Sequence, residues 1–291
     1  MPFLSRLKRI FGSKARLGLV LGSGGARGLA HIGVLKALEE AHVPLHCIVG
    51  ASAGALVGGL YSAGTSPAAM EEMVLRLSRT EIAKLFFPTF NRGGLISGSR
   101  IKKFIEPYIA GKKIEDLSPV FACVATDLRS GDRVVFKSGD LLESIRASIS
   151  IPGLFAPAIC GDRTLLDGGV VDPLPIGLAF ELGAEFVIAV RVGRQKIRDI
   201  SETKDSACVY EDQEHKGAVP AIIETVLSAL SIYEQRLSEI SIREAKNCII
   251  VEPVLEGIEI LDFHKGRQAM DAGEAAMRAR MPELGNMVPE R

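Results

Sequence analysis

CIVGASAGALVGG, residues 47–59, is the stretch that decides the fold of this chain. Its apolar start predicts a buried strand, the small residues around Ser52 predict a tight turn, and the remainder opens a helix towards Tyr61. A serine exposed on such a turn needs small neighbours two positions before and two positions after it, because the turn and the adjoining strands crowd those positions. Gly50 and Gly54 occupy them. Ser52 is therefore a candidate nucleophile on an elbow between strand and helix.

One strand and one helix precede this elbow. The apolar run 17–21 predicts a strand, the loop GSGGARG follows at 22–28, and residues 29–40 have helical spacing. Together with the strand and helix around Ser52, they form the βαβα start of a parallel sheet. The predicted fold class is therefore α/β.

The glycine loop predicts a site for negative charge. Adjacent glycines let backbone N–H groups approach a ligand, and a helix N-terminus adds a favourable dipole. We expect Gly24 and Gly25 to donate to the oxyanion that forms when Ser52 attacks a carbonyl. We expect Arg27 to brace the loop or a neighbouring carboxylate.

Two alternatives for this loop stay open, a cradle for nucleotide phosphates and a packing turn. A dinucleotide fingerprint needs glycine where Arg27 stands and an acidic residue near the end of the second strand, where the sequence has Val49 and Gly50. A P-loop needs Lys and then Ser or Thr after its last glycine, whereas Leu29 follows Gly28. Both departures disfavour nucleotide binding.

The rest of the chain continues the alternation of helices and strands. Helices are predicted within 67–85 and at 101–109, 141–148, 221–243 and 264–281, and strands at 121–126, 133–137, 164–166, 186–191 and 248–251. Residues 86–98 predict a loop or cap near a site, and 150–157 an apolar loop that lines a pocket. The polar segment 194–219 predicts a lid or a disordered excursion.

Composition narrows the class of protein. The 291 residues are 47% apolar and carry 35 basic and 35 acidic side chains, so no global field attracts nucleic acid. The five cysteines are scattered without metal-ligand spacing, which predicts a reducing compartment and no metal. The uncharged stretch 47–70 is too rich in glycine for a membrane span, and no secretory signal is expected. We expect a cytoplasmic protein.

Residues 1–16 form a basic N-terminal arm ahead of a domain that we expect to span 17–291. All five charged residues of the arm are basic, and the first acidic residue of the chain is Glu39. Apolar residues between 3 and 11 have helical spacing. Such a segment is either a short membrane-surface helix or a loosely docked arm. The first alternative predicts peripheral contact with the inner face of a membrane through residues 3–16.

The base that activates Ser52 is expected to be a carboxylate, since none of the five histidines stands in the context of a catalytic partner. Asp167 ends an apolar strand and precedes Gly168 and Gly169, a turn with little bulk to obstruct a second loop. Its ordinary pKa is about 4, so burial has to raise its proton affinity before it can serve as general base.

Other assignments of the base stay open. Asp172 and Asp127 are reserve candidates, and a Ser/Asp/His triad could end on His264. Hydrolases with that chain order build several strands before the elbow, whereas one βα unit precedes Ser52 here. The triad is therefore disfavoured.

Three motifs in this order resemble the patatin-like phospholipase family: SGGARG at 23–28, GASAG at 50–54 and DGG at 167–169. The similarity runs from about 17 to 191, and the helical C-terminal part, 220–291, is less diagnostic. The chain is most similar to the small bacterial branch related to neuropathy target esterase.

The resemblance implies a three-layer α/β/α sandwich with a mostly parallel central sheet. It also implies a serine acyl hydrolase that cleaves lipid acyl esters of phospholipids or lysophospholipids without a metal or cofactor. In this sequence the dyad would be Ser52 and Asp167, and the oxyanion hole would come from the loop that holds Gly24, Gly25, Arg27 and Gly28.

Two departures from the family pattern concern Ser23, where the family loop usually begins with glycine, and Asp172, where asparagine is often found. Ser23 would narrow the approach to the loop, and Asp172 would add a negative charge close to the dyad. The alternative function is a non-catalytic or regulatory acyl-binding protein of the same fold. Neither the head group nor the oligomeric state follows from the sequence.

Overall fold

The structure, a computed structural model, describes residues 16–85, 98–193 and 221–287. The predicted N-terminal arm lies outside the described residues except for Arg16, and so do the 86–98 loop except for Gly98 and the 194–219 segment. Those three predictions stay predictions. In the described ranges, no helix combines the length and apolar character that a membrane crossing needs.

Eight strands of the described chain form one sheet in the order β5-β6-β3-β2-β1-β7-β8, with β4 paired to β3 off this path. Their bounds are β1 Leu17–Leu21, β2 Cys47–Ala51, β3 Val120–Asp127, β4 Arg133–Phe136, β5 Ala158–Cys160, β6 Arg163–Asp167, β7 Phe186–Val190 and β8 Cys248–Val251. The pairs β3-β2, β2-β1, β1-β7 and β7-β8 are parallel. The pairs β3-β4, β3-β6 and β5-β6 are antiparallel.

Helices cover both faces of this sheet. Their bounds are α1 Ala30–Glu40, α2 Ala53–Ser62, α3 Pro67–Arg76, α4 Arg79–Leu85, α5 Ser99–Ile109, α6 Leu141–Ser148, α7 Ile176–Glu181, α8 Ala221–Glu244 and α9 Gly266–Met287. Two short 3₁₀ turns, Gly25–Leu29 and Gly168–Val170, lie at the ends of β1 and β6. Local signals fix the helix starts: the Ser66 side chain caps α3 with Pro67 in its first turn, and the Asp140 side chain caps α6.

The central strands β1, β2 and β7 are buried on both sides, which gives the molecule three layers. Leu19 and Leu21 of β1 pack in the cluster that includes α1, α2, α6 and α9. Val20 points to the opposite face and packs with α7 and the C-terminal part of α8. Alternate side chains of one strand therefore face two helical layers, as parallel sheets require. The predicted three-layer α/β/α sandwich with a mostly parallel sheet is confirmed.

Strand β3 brings the ends of two other strands together. β2 pairs with β3 up to Ala51 opposite Val124, and β6 pairs with β3 from Asp167 opposite Ala125. β4 pairs with Cys123 to Thr126 and overlaps both, so it must occupy the opposite edge of β3. β2 and β6 therefore share one edge and run towards each other, and their C-terminal ends meet between adjacent residues of β3.

Candidate active site

Ser52 lies on a strained turn between β2 and α2. Its backbone has φ 53° and ψ −120°, a left-handed φ that is uncommon for a residue other than glycine. The two flanking glycines are required by close contacts. A Cβ at Gly54 would lie 1.9 Å from the Leu21 carbonyl oxygen, and a Cβ at Gly50 would lie 2.5 Å from the Gly54 carbonyl oxygen. Small residues on both sides therefore let the elbow close against β1.

The Ser52 hydroxyl donates to Asp167. The distance from Ser52 Oγ to Asp167 Oδ2 is 2.6 Å, and both residues are buried, at 3% and 2% exposure. The Ser52 amide donates to Ser148 Oγ at 3.0 Å. The meeting of β2 and β6 on one edge of β3 thus places a hydroxyl directly on a carboxyl, as a nucleophile and its base require.

Neighbouring groups fix the orientation of the Asp167 carboxyl. The Gly169 amide donates to Asp167 Oδ1 at 2.7 Å, which leaves Oδ2 facing Ser52. Thr126 Oγ1 donates to the Asp167 backbone carbonyl at 2.7 Å. A Cβ at Gly168 would lie 2.2 Å from the Val124 carbonyl oxygen, so glycine is needed where the turn crosses β3. The two glycines of the DGG motif therefore serve packing and carboxyl orientation, respectively.

Burial raises the pKa of Asp167 from 3.8 to about 7, although the hydrogen bonds from Ser52 and Gly169 act in the opposite direction. Desolvation disfavours the charged carboxylate, because the protein interior stabilises a charge less well than bulk water does. A carboxyl with this pKa is a far stronger base at neutral pH than an exposed aspartate.

Two residues of the glycine loop lie at the cavity of Ser52. Gly24 and Gly25 line the same cavity as the Ser52 side chain, and neither amide donates a hydrogen bond to any described residue. The amide of Arg27 instead donates to the Gly24 carbonyl at 3.2 Å. Gly28 lies against the elbow, because a Cβ there would be 2.3 Å from Ala53 Cβ. Of the four loop residues expected at the oxyanion hole, Gly24 and Gly25 line the cavity, and the oxyanion hole itself stays a prediction.

The Arg27 side chain joins this loop to a distant segment of the chain. Its Nε donates to the Ile258 carbonyl at 2.7 Å, and its Nη2 lies 3.0 Å from Glu259 Oε2. The Ala26 amide donates to the Ile260 carbonyl at 2.9 Å. Segment 258–260 therefore holds the glycine loop in place, and its Ile260 also lines the cavity at Ser52.

His31 supports the loop from below. Its Nε2 is 2.8 Å from the Gly22 carbonyl, and burial lowers the pKa of this imidazole to about 4. It is neutral at physiological pH and donates to Gly22. His264, the last member of the disfavoured triad, lies 3.9 Å from Asp262.

The reserve carboxylates are engaged elsewhere. Asp172 Oδ2 accepts from Arg133 at 2.9 Å, and Asp127 accepts from the amides of Arg129 and Ser130 in a turn. The charge of Asp172 is thus paired with a guanidinium instead of being added to the dyad.

The cavity beside Ser52 has a volume of about 10 Å³, about the space of one water molecule. Ile151 and Pro152 line it, as expected of the apolar loop 150–157, and so do Leu230, Glu234 and Ile260. A larger cavity of about 610 Å³ lies between α7 and the end of α8 and does not include the dyad. In the described part of the chain, no group of three metal-ligating side chains comes together.

Sequence reasoning assigned no individual role to several residues of this site, although it expected the loop 150–157 to line a pocket. Ser148 and Ser150 are buried, and Ser150 accepts the Asp167 amide through its carbonyl at 2.9 Å. Arg146 Nη1 donates to Ser150 Oγ at 2.6 Å and its Nη2 to the Ala156 carbonyl at 2.7 Å, so it holds the loop over the dyad. The signal for these residues is the SIS run at 148–150 beside a buried arginine, which has no functional meaning without the fold.

Comparison with known proteins identifies the family to which this chain belongs. The model of patatin-like phospholipases matches residues 19–180. An uncharacterized NTE family protein of Mycobacterium tuberculosis is 39% identical over 190 residues, 65% of this chain and 52% of that protein. Human patatin-like phospholipase domain-containing protein 6 is 32% identical over 282 residues, 92% of this chain and 20% of that protein. The chain thus spans about half the length of the mycobacterial relative.

Among solved structures, the crystal structure of VipD from Legionella pneumophila has a TM-score of 0.48 and 13% sequence identity to this chain. The match covers 92% of this chain and 67% of VipD.

Proposed function

Because the chain belongs to the patatin-like phospholipase family, we propose that it is a serine acyl hydrolase of lipid esters that works through Ser52 and Asp167. The substrate class is phospholipid or lysophospholipid. The observation that carries the proposal is the buried 2.6 Å hydrogen bond from Ser52 Oγ to a carboxyl whose pKa is raised to about 7.

In the first step, Asp167 Oδ2 takes the Ser52 proton while Ser52 Oγ attacks the ester carbonyl carbon. The 2.6 Å contact already points the hydroxyl proton at Oδ2. Gly169 holds the other carboxyl oxygen, so the base does not turn away from the nucleophile during the transfer. Proton transfer by a positioned base contributes a factor of about 10² to 10⁴ in rate.

The negative charge that develops on the carbonyl oxygen is received by the amides of Gly24 and Gly25. Both line the cavity at Ser52, and neither is engaged by a described residue. Each such donor is worth a factor of about 10² to 10³. The contacts of Arg27 with Ile258 and Glu259 hold these amides in place before substrate arrives.

Asp167 then returns its proton to the leaving alcohol, and the acyl group stays on Ser52. Water attacks the acyl-enzyme with Asp167 again as base, which releases the fatty acid and restores the Ser52 proton. No metal or cofactor is needed for this sequence of steps.

A fluorophosphonate probe tests the nucleophile directly. The wild-type protein should label, Ser52→Ala should not, and Ser62→Ala is the matched control, since Ser62 is a buried serine on the elbow helix away from the dyad. Hydrolysis of lysophospholipids, phospholipids and short p-nitrophenyl esters, with Ser52→Ala as blank, then defines the substrate. A folded wild-type protein that neither labels nor hydrolyses any of them contradicts the proposal and leaves a non-catalytic acyl-binding protein.

A further inference from the structure

A second carboxyl faces the cavity that holds Ser52. Glu234, on α8, lines this cavity together with Ser52 and Asp167, and also lines the neighbouring small cavity at Ser23. The mechanism above does not use it. The family match ends at residue 180, so Glu234 lies outside the stretch by which the family is identified.

Helix packing aims Glu234 inward. Leu227 and Ser238 are buried, and Leu230 lines the cavity, so these residues and Glu234 follow one face of α8 at spacings of three and four. The Ser238 hydroxyl donates to the Glu234 backbone carbonyl at 2.8 Å. Burying an acidic side chain costs free energy unless the group is paired or hydrogen-bonded. Buried acids of this kind cluster at functional sites.

The Glu234 carboxyl packs onto the residue that orients the base. A Cβ at Gly169 would lie 2.3 Å from Glu234 Oε1 and 2.8 Å from Ser23 Oγ, so both groups cover Gly169. Gly169 is the residue whose amide holds Asp167 Oδ1. Ser23 Oγ is buried on the same side of Gly169, within reach of the Glu234 carboxyl. Gly169 therefore lies between the Glu234 carboxyl and Asp167 of the dyad.

Few charges face Glu234. Asp167 lies at the C-terminal end of β6, and Arg27 lies on the glycine loop. Arg191, which also lines the small cavity at Ser23, is paired with Glu252. On α8 itself, Arg236 and Glu239 pair with each other at 3.2 Å. In the described part of the chain, Glu234 forms no ion pair of its own.

Burial raises the pKa of Glu234 to about 8. The negative charge of Asp167 raises this pKa further, and Ser23 and Arg27 lower it.

We propose that Glu234 is a positioning residue of this site, which supports hydrolysis while its carboxyl is protonated and opposes hydrolysis once it is ionised. The inference rests on the proposed function. A neutral Glu234 packs on Gly169 without adding charge, so Asp167 can carry the single negative charge of the resting site. An ionised Glu234 places a second negative charge beside the base and beside the oxyanion that has to form.

The pH dependence of kcat/KM for a p-nitrophenyl ester tests this role. The wild-type profile should rise as Asp167 ionises and fall as Glu234 ionises, and the two apparent pKa values belong to the pair. For one ionisation at about 8, activity at pH 9.5 lies about thirtyfold below the plateau. Glu234→Gln keeps the shape and removes the charge, so it should hold its plateau at pH 9.5. Glu239→Gln, at an acid five residues further along α8 that pairs with Arg236 and does not line the cavity, should keep the wild-type profile.

Ser23→Gly gives a second test that leaves Glu234 in place. Ser23 lowers the pKa of Glu234, so its removal should move the falling limb to higher pH. This variant decides the question if Glu234→Gln does not fold. A falling limb at the wild-type pH in Glu234→Gln, or in Ser23→Gly, overturns the role of Glu234. Fluorophosphonate labelling that Ser52→Ala abolishes would in that case leave the proposed hydrolase intact, whereas a wild-type protein that never labels removes both.

Discussion

Replacement of Asp167 by Asn should lower activity and raise stability in the same protein. The amide cannot accept the Ser52 proton, so labelling and turnover should fall by a factor of about 10² to 10⁴. The geometry tolerates the change. The Asn carbonyl can accept the Gly169 amide, as Oδ1 does at 2.7 Å, while its NH₂ group faces Ser52 Oγ, which can serve as acceptor.

The stability gain follows from the pKa. Burial raises the pKa of Asp167 from 3.8 to about 7, so the folded protein holds this proton more tightly than the unfolded chain. The stabilisation is complete below the unfolded value and is lost as the pH rises through about 7. A difference of about three pKa units corresponds to about 4 kcal/mol of unfolding free energy that the wild type lacks at pH 8. Asn has no charge to desolvate, so Asp167→Asn should unfold several degrees higher at pH 8.

Thermal unfolding at pH 5 and pH 8, beside fluorophosphonate labelling rates, measures both effects. Asp172→Asn is the matched control, because Asp172 is paired with Arg133 and does not contact Ser52. The difference in melting temperature between Asp167→Asn and wild type should grow from pH 5 to pH 8. Labelling within tenfold of the wild-type rate, or a lower melting temperature at pH 8, would refute the assignment of Asp167 as a buried base.

Two further substitutions test the elbow and the glycine loop. Gly54→Ala should lower the unfolding free energy by at least about 2 kcal/mol in urea titrations, because its Cβ would lie 1.9 Å from the Leu21 carbonyl oxygen. Gly177→Ala, with no atom within 4 Å of its Cβ, should cost nothing, and an equal loss in both would argue against the clash. Arg27→Lys should lower kcat tenfold or more at temperatures where the variant is folded, and should also lower the melting temperature, because lysine cannot bond the buried Ile258 carbonyl and Glu259 together. An unchanged kcat would show that the loop does not depend on this brace.

The elbow and the βαβα start of a parallel sheet could be predicted because local rules determine them, whereas the three-layer sandwich followed from the family resemblance. Gly50 is required by a contact within the strand-turn-helix unit and Gly54 by the neighbouring strand β1, and both follow the known pattern of such an elbow. Apolar runs identify buried parallel strands. β5 could not be predicted, since its three residues are too few to carry a period. Glu234 could not be predicted either. It occurs in a helix with many polar residues, and only the packing of α8 on Gly169 separates it from a solvated acid.

Because β2 and β6 both pair with β3, the register of these two strands on β3 decides whether Ser52 and Asp167 can react together. Ser52 and Asp167 are 115 residues apart in sequence, and they meet because β2 and β6 end on adjacent residues of one edge. A slip of β6 by one residue would turn the Asp167 side chain to the other face of the sheet while leaving every strand formed. Probe labelling during refolding would therefore report when this long-range register is established. A sheet in which β6 has not yet paired with β3 in register would not react, because Asp167 would not contact Ser52. In this protein, the reactivity of Ser52 therefore measures when the native strand register has formed.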